Sequence, residues 1–271
     1  VTEITADEVS EENFDEVFDG TGMVAMPGMT DAHVHLGCLF AKGEFPVDYA
    51  TVLTVAKCKD ALMAGFTTFR DAGSVSEGLK LAFDEGVLPG PRIYPCGAYI
   101  SQTCGHGDSE YAHTYRDIQY RHPSSTVLVD GVPEIIRAVR EQFYRGASHI
   151  KLMATEILNR HEDIRLLFGT DMMITGPDYQ VEQSEDIRYY EKRFGTMRAL
   201  RALTGTANEV FALTTYQNPY PKGKIGVLEA GSYADLLLVD GDPTKSVSVL
   251  ADTDHLRLIM KGGTVYKNTL C

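Results

Sequence analysis

The chain has few cysteines and no long apolar run, and it is short of positive charge. Cys38, Cys58, Cys96, Cys104 and Cys271 are scattered without a CxxC pair, and their number is odd. That pattern argues against a disulfide framework or a zinc ribbon and fits a reducing compartment. No apolar stretch approaches the ~20 residues that span a bilayer, and the N-terminus lacks a charged-then-apolar signal pattern. The expectation is a cytoplasmic protein without a membrane role. Val1 is not an initiator methionine, so a signal lost from upstream remains an alternative. Lys and Arg number 25 against 38 Asp and Glu, a formal charge of -13. A surface of that sign opposes phosphate backbones and anionic membranes, so no nucleic-acid partner is expected.

What is present is enough for a large core: 271 residues with 44% apolar content. The most informative stretch is Asp31-Ala32-His33-Val34-His35, at the end of an apolar segment that opens with Met26-Pro27-Gly28. On a β-strand, residues i and i+2 share a face, so both imidazoles can converge on one metal ion. Three further segments give the pair its context. Residues 65–71 read as a strand ending in Arg70-Asp71, and residues 146–153 as an apolar strand containing Lys151. Residues 166–171 read as a third strand, ending in Asp171. Helical periodicity over 47–64 stops at Gly65, and residues 75–83 repeat the pattern before Gly86. Parallel β/α barrels carry their functional groups at the C-terminal ends of the strands. Here those ends carry His, His, Lys and Asp.

At these residues the chain resembles the amidohydrolase superfamily of metal-dependent hydrolases. Residues 27–36 are similar to its first-strand motif, and 150–154 to its fourth strand, whose lysine is often carboxylated and bridges two metals. Phe168-Gly169-Thr170-Asp171 resembles the eighth strand. Residues 226–243 are similar to the strands that return to an accessory sandwich. Within the superfamily, Ser101-Gln102-Thr103-Cys104-Gly105-His106-Gly107-Asp108 most resembles the branch of Xaa-Pro dipeptidases, Lys/Arg carboxypeptidases and ochratoxinase-like amidases. The resemblance implies an α/β fold, a (β/α)8 TIM-like barrel over 25–215. A small discontinuous β-sandwich, from 1–24 and 216–271, accompanies it.

The barrel is expected to lack strands five to seven. Only eight residues, 156–163, lie where the resemblance places those strands and two more metal-binding histidines, whereas one βα unit needs about 30. Two explanations stand: ordered pieces of a longer chain, or a truncated product. The first is preferred, because an open remnant exposes apolar faces and edges that closure hides.

Further elements are expected as the third strand over 92–99, and as a helix over 133–144 with Ile135, Ile136, Val139 and Phe143 on one side. Another helix is expected over 197–213, with Met197, Leu200, Leu203, Ala207 and Val210 inward. The remaining elements are a buried strand over 234–239, and a hairpin of 256–260 and 264–267 turning at Lys261-Gly262-Gly263. Val17-Phe18 and Met23-Val24 are candidate outer strands, and the acidic run 182–191 is a solvated helix face.

The chemistry follows from the donor set. Amide hydrolysis needs an activated water, a polarised carbonyl and a proton for the departing nitrogen. A divalent metal on His33, His35 and Asp171, zinc first among the candidates, supplies the first two. Asp171 is expected as general base and proton shuttle. Lys151 is costly as a cation in an apolar strand; carboxylated by CO2 it becomes an anionic ligand suited to a second ion. His106, between two glycines, is the candidate substrate contact. His113, His122, His149, His161 and His255 are expected to be bland, and Arg70 and Asp71 to pair with each other. The expected function is a metal-dependent hydrolase of C–N bonds in dipeptides or N-acyl amino acids, with homo-oligomerisation open. The alternatives are a deaminase or cyclic amidase, or a truncated, non-catalytic metal- or partner-binding protein.

Overall fold

A computed structural model describes residues 1–7, 9–10, 12, 14–36, 47–74, 76–103, 105, 107–108, 126–153, 165–173 and 179–270. The expected gap in the barrel (156–163) and His106 lie outside these residues.

Strand β1 (Val24–Pro27) leads directly into β2 (Met29–His35). Almost every residue of β2 is buried, on both faces, as a central parallel strand requires. Helix α1 (Val47–Met63) crosses back over it and buries Ala50, Thr54, Cys58, Ala61 and Leu62. Those positions form one stripe at three- and four-residue spacing. Gly65, with φ +87°, ends the helix; only glycine takes that conformation without a steric cost. Strand β3 (Phe66–Asp71), helix α2 (Glu77–Asp84) and strand β4 (Arg92–Tyr94) repeat the unit.

Beyond β4 come β5 (Tyr99–Ser101), β6 (Thr126–Leu128) and helix α3 (Val132–Tyr144). The two-residue β7 (Met172–Met173) follows. The strands β4, β3, β2 and β7 form one parallel sheet in that order. Strands β5 and β6 pair in parallel beside it, and Ile100 bridges Leu152. Alternating strands and helices around parallel pairs are the wall of a β/α barrel.

The small β-domain is a single antiparallel sheet among the described residues, not a two-layer sandwich. Its order is β1, then β8 (Leu236–Val239), β9 (Leu256–Lys261) and β10 (Thr264–Asn268). The hairpin turns at Gly262 and Gly263, φ +59° and +84°, as expected for a two-residue loop. Leu237, Val239, Leu256 and Ile259 share one core with Met29, Phe66 and Phe168, so barrel residues cover the apolar face of the sheet. The seam is also ionic. Arg92 pairs with Asp235, both buried, and Gly262 N donates to the other Asp235 oxygen at 2.8 Å.

Several expectations are corrected. The third strand is interrupted between β4 and β5 at Gly97, φ +68°, where Ala98 N donates to Gln142 Oε1. That bond turns the buried face of α3 to Ala138 and Gln142, leaving Ile135 and Ile136 exposed. Residues 146–153 form a bridge at Leu152 instead of a strand, and 166–171 lie in no strand, the two-residue β7 starting only after Asp171. Val17 is exposed and in no strand.

Helix α4 (Tyr179–Phe194) carries the acidic run but buries Gln183 and Ile187 within it. The helix expected over 197–213 breaks into α5 (Thr196–Leu203), α6 (Gly205–Phe211) and a 3-10 turn, with Met197 exposed. The break is at Thr204, whose carbonyl packs so closely on Gly226 that a Cβ there would lie 2.5 Å from the oxygen.

Candidate metal centre

The candidate site lies where β2 ends beside the segment 165–173. Ala32 N donates to Phe168 O and Asp171 N to His33 O, at 2.8 and 2.7 Å. The two segments are therefore stitched immediately around the histidines. Gly169 is part of that fit, since a Cβ added there would sit 2.7 Å from His33 Cβ.

His33 and His35 project together, ring centroids 5.5 Å apart. Asp171 Oδ1 lies 2.8 Å from His33 Nε2 and 3.2 Å from His35 Nε2. Asp171 has φ +55°, a strained conformation for a non-glycine residue. Its side chain is 71% exposed while that of His35 is 11% exposed, so two partly withdrawn imidazoles face a carboxylate that reaches solvent. Burial, assisted by the Lys151 charge, lowers the His33 pKa to about 4 against the opposing pull of Asp171. His33 is thus neutral at neutral pH, with a lone pair on one ring nitrogen.

The donor set fits a divalent cation. One atom from each of His33, His35 and Asp171 lies within 4.8 Å of the others. Ligands about 2.0–2.1 Å from a tetrahedral metal are separated by roughly 3.3 Å, close to the two spacings to Asp171. Protein hydrogen bonds alone leave the cluster inconsistent. Lys151 Nζ sits 3.0 Å from His33 Nε2, the same atom that faces Asp171. A single ring nitrogen cannot accept from the lysine and donate to the carboxylate at once.

Thus His33, His35 and Asp171 come together, Lys151 stands beside them half-buried, and His106 lies outside the described residues. The expected pairing of Arg70 with Asp71 does not occur. Asp71 is buried and accepts from Leu36 N, Gly73 N and Ser74 Oγ. Arg70 has no ion-pair partner among the described residues.

Three residues carry more than their sequence context suggested. Asp31, fully buried, accepts from His33 N, Thr170 N, Thr170 Oγ1 and Gln183 Nε2. Burial lifts its pKa to about 6 against those bonds. His149 places Nδ1 3.0 Å from Ser148 Oγ and Nε2 3.1 Å from Asp71 O. Burial, then the Arg70 charge, lowers its pKa to about 3. Gln183 sits inside an acidic helical run, and only its burial marks it.

The amidohydrolase family model matches residues 24–163. Ochratoxinase from Aspergillus niger is 34% identical over 152 residues, 49% of this chain and 31% of that protein. The match therefore spans about a third of the relative's length. Among solved structures, a prolidase complexed with N-methylphosphonate-L-proline superposes with a TM-score of 0.83 at 23% identity, covering 98% of this chain and 92% of that one. The A. niger ochratoxinase structure gives 0.70 at 20%, covering 90% and 83%. A Xaa-Pro dipeptidase with bound methionine gives 0.61 at 19%, covering 99% and 93%. At these identities the superpositions establish a shared fold. The family model covers more than half of the 271 residues, and the chain belongs to the amidohydrolase family.

Proposed function

We propose that this chain is a metal-dependent hydrolase of amide or peptide bonds in small substrates, dipeptides or N-acyl amino acids. One observation carries the reading: two imidazole Nε2 atoms from the end of β2 and one carboxylate oxygen from the residue just before the adjacent parallel strand β7 converge. Family membership and the ochratoxinase and prolidase relatives support it. His33, His35 and Asp171 would hold the ion, zinc first among candidates. Lys151, its neutral amine carboxylated on Nζ by CO2 with loss of a proton, would add an anionic ligand for a second. When bound, such an ion polarises the scissile carbonyl and makes water a nucleophile at neutral pH.

Asp171 does the proton work. Its exposed carboxylate reaches substrate-side solvent while Oδ1 faces the histidines, which leaves Oδ2 to take a proton from the attacking water. Water oxygen joins the carbonyl carbon, the C–N bond breaks, and the proton held at Oδ2 passes to the departing nitrogen. Asp31 holds the His33 backbone and Thr170 in place, so the end of β2 and the segment leading into β7 keep their spacing during that transfer.

The test is metal content by elemental analysis on protein of determined intact mass. At least one divalent ion per chain is expected, and the double variant His33→Ala, His35→Ala should lose it. Full metal content in that variant would overturn the assignment.

A further inference from the structure

Among the described residues, Arg70 is a half-buried cation beside the candidate metal centre that has no ion-pair partner and that the proposed hydrolysis leaves unused. It is the penultimate residue of β3, on the opposite face from Phe69 and Asp71, which are buried, and it is itself half-buried. Burial pulls its pKa below the ordinary arginine value, and a guanidinium stays charged in proteins. The neighbouring carboxylate, Asp71, is committed to Leu36, Gly73 and Ser74. The described titratable side chains that feel its charge are His33 and His149, both held neutral partly by this guanidinium, and the Cys96 thiol, which burial keeps protonated. A partly desolvated cation among neutral groups is costly, and an anion brought to its fork relieves that cost.

The cavities say where such an anion sits. Arg70 lines a pocket of about 390 Å3 whose walls include Tyr94, Phe143 and Phe211, with Thr214 and Gln217 at polar positions. It also lines a smaller pocket of about 170 Å3 together with His33. Arg70 is therefore a wall common to the apolar pocket and to the pocket beside His33. A volume near 390 Å3 suits a small organic acid.

Resting on the hydrolase reading above, we infer that Arg70 is the carboxylate-binding residue of the substrate site. It selects N-acyl amino acids with a free carboxylate and an apolar side chain, which seats against Tyr94 and Phe211 while the acyl carbonyl lies toward His33. A planar guanidinium grips a carboxylate through two parallel N–H bonds, which a lysine cannot reproduce.

The experiment uses the metal-loaded chain with N-acetyl-L-leucine and its uncharged counterpart N-acetyl-L-leucinamide, following acetate release. The parent should favour the acid by 100-fold or more in kcat/KM. Arg70→Met should lose that preference, with kcat/KM falling at least 30-fold further on the acid than on the amide, and Arg70→Lys should recover part of it. Hydrolysis without an acid preference, or equal loss on both substrates, overturns the inference and leaves the hydrolase reading standing. Calorimetric binding of the acid to the metal-free chain keeps the two apart. Acid binding that weakens at least 30-fold in Arg70→Met, with no turnover of either compound, overturns the hydrolase reading and upholds the subsite. Binding unchanged in that variant overturns the subsite whatever the turnover.

Discussion

Gly169 is the position where adding a single methyl should damage the site most. An ideal Cβ there lies 2.7 Å from His33 Cβ, 3.1 Å from His33 N and 3.4 Å from His33 Cα. Carbon pairs sit comfortably at about 3.5–4.0 Å, so Gly169→Ala must open the contact by roughly 1 Å. The obstacle is the backbone and Cβ of a central strand, which has no flexible tip to swing away. Overpacking of this kind costs about 1–3 kcal/mol, partly offset by the 0.4–1 kcal/mol that Gly→Ala gains by restricting the unfolded chain. The net is a loss of about 1–2 kcal/mol, or ~2–8 °C in Tm for a chain of this size. The bonds Asp171 N to His33 O and Ala32 N to Phe168 O cross the same contact, so the spacing from His33 to Asp171 opens with it and metal affinity falls about tenfold or more. Gly78 in α2 is the internal control, because an added Cβ meets nothing within 4 Å; Gly78→Ala should raise Tm. Calorimetric melting with a metal titration reads both outcomes. A Gly169→Ala protein that melts no lower than the parent and binds metal equally well would refute the steric argument.

Two further outcomes concern the frame around the site. Burial, with the Arg92 charge beside it, lowers Lys261 from 10.5 to about 8. The unfolded chain then holds more protons between those values, so stability should rise as pH climbs from about 8 toward 10.5. Lys261→Met removes that rise, amounting to about 2 kcal/mol between pH 8 and 9.5; urea melts at the two pH values check it, and an unchanged slope would sink it. Glu191 accepts from Thr196 Oγ1, Ser246 Oγ, Val247 N and both Ser248 donors. Burial opposes its charge, but Ser248, Thr196 and Ser246 outweigh it and hold its pKa below the usual 4.5. Its contribution is therefore present above about pH 4.5 and lost as pH falls through the folded value. Glu191→Gln should cost about 1–2 kcal/mol at pH 7 and flatten the acid limb of a circular-dichroism pH titration; an unaltered limb would contradict this.

Local signals carried much of the fold. Gly65 stops α1 because the next residue must start β3 from a left-handed turn, and Lys261-Gly262-Gly263 sets the hairpin for the same reason. Both are written in residues adjacent to the feature they determine. The interrupted third strand is not. Its break at Gly97 is stabilised by Gln142, a polar residue on the buried side of α3, and a pattern read from Ile135 and Ile136 points the helix the wrong way. The break at Thr204 likewise depends on Gly226, which approaches from a distant turn. Such features follow from contacts between segments, which periodicity within one segment does not encode.

The site divides along the same line. His33 and His35 are legible because i and i+2 on a strand must share a face; Asp171 is expected at the end of a strand over 166–171, and it instead reaches the histidines from the segment just before β7. The residues that hold them are distant in sequence: Asp31 meets Thr170 across 139 positions and Gln183 across 152. Arg70 shows the limit most clearly. Next to Asp71 it reads as half of an ion pair, yet adjacent strand residues point to opposite faces, so the adjacency that suggests a pair is what forbids it. The same geometry sends the carboxylate into the strand-end turn and leaves the guanidinium in the lumen beside His33. A cation without an ion-pair partner among the described residues, next to the proposed metal centre, is thus a consequence of strand alternation, and its chemistry, attraction for a carboxylate, follows from that position.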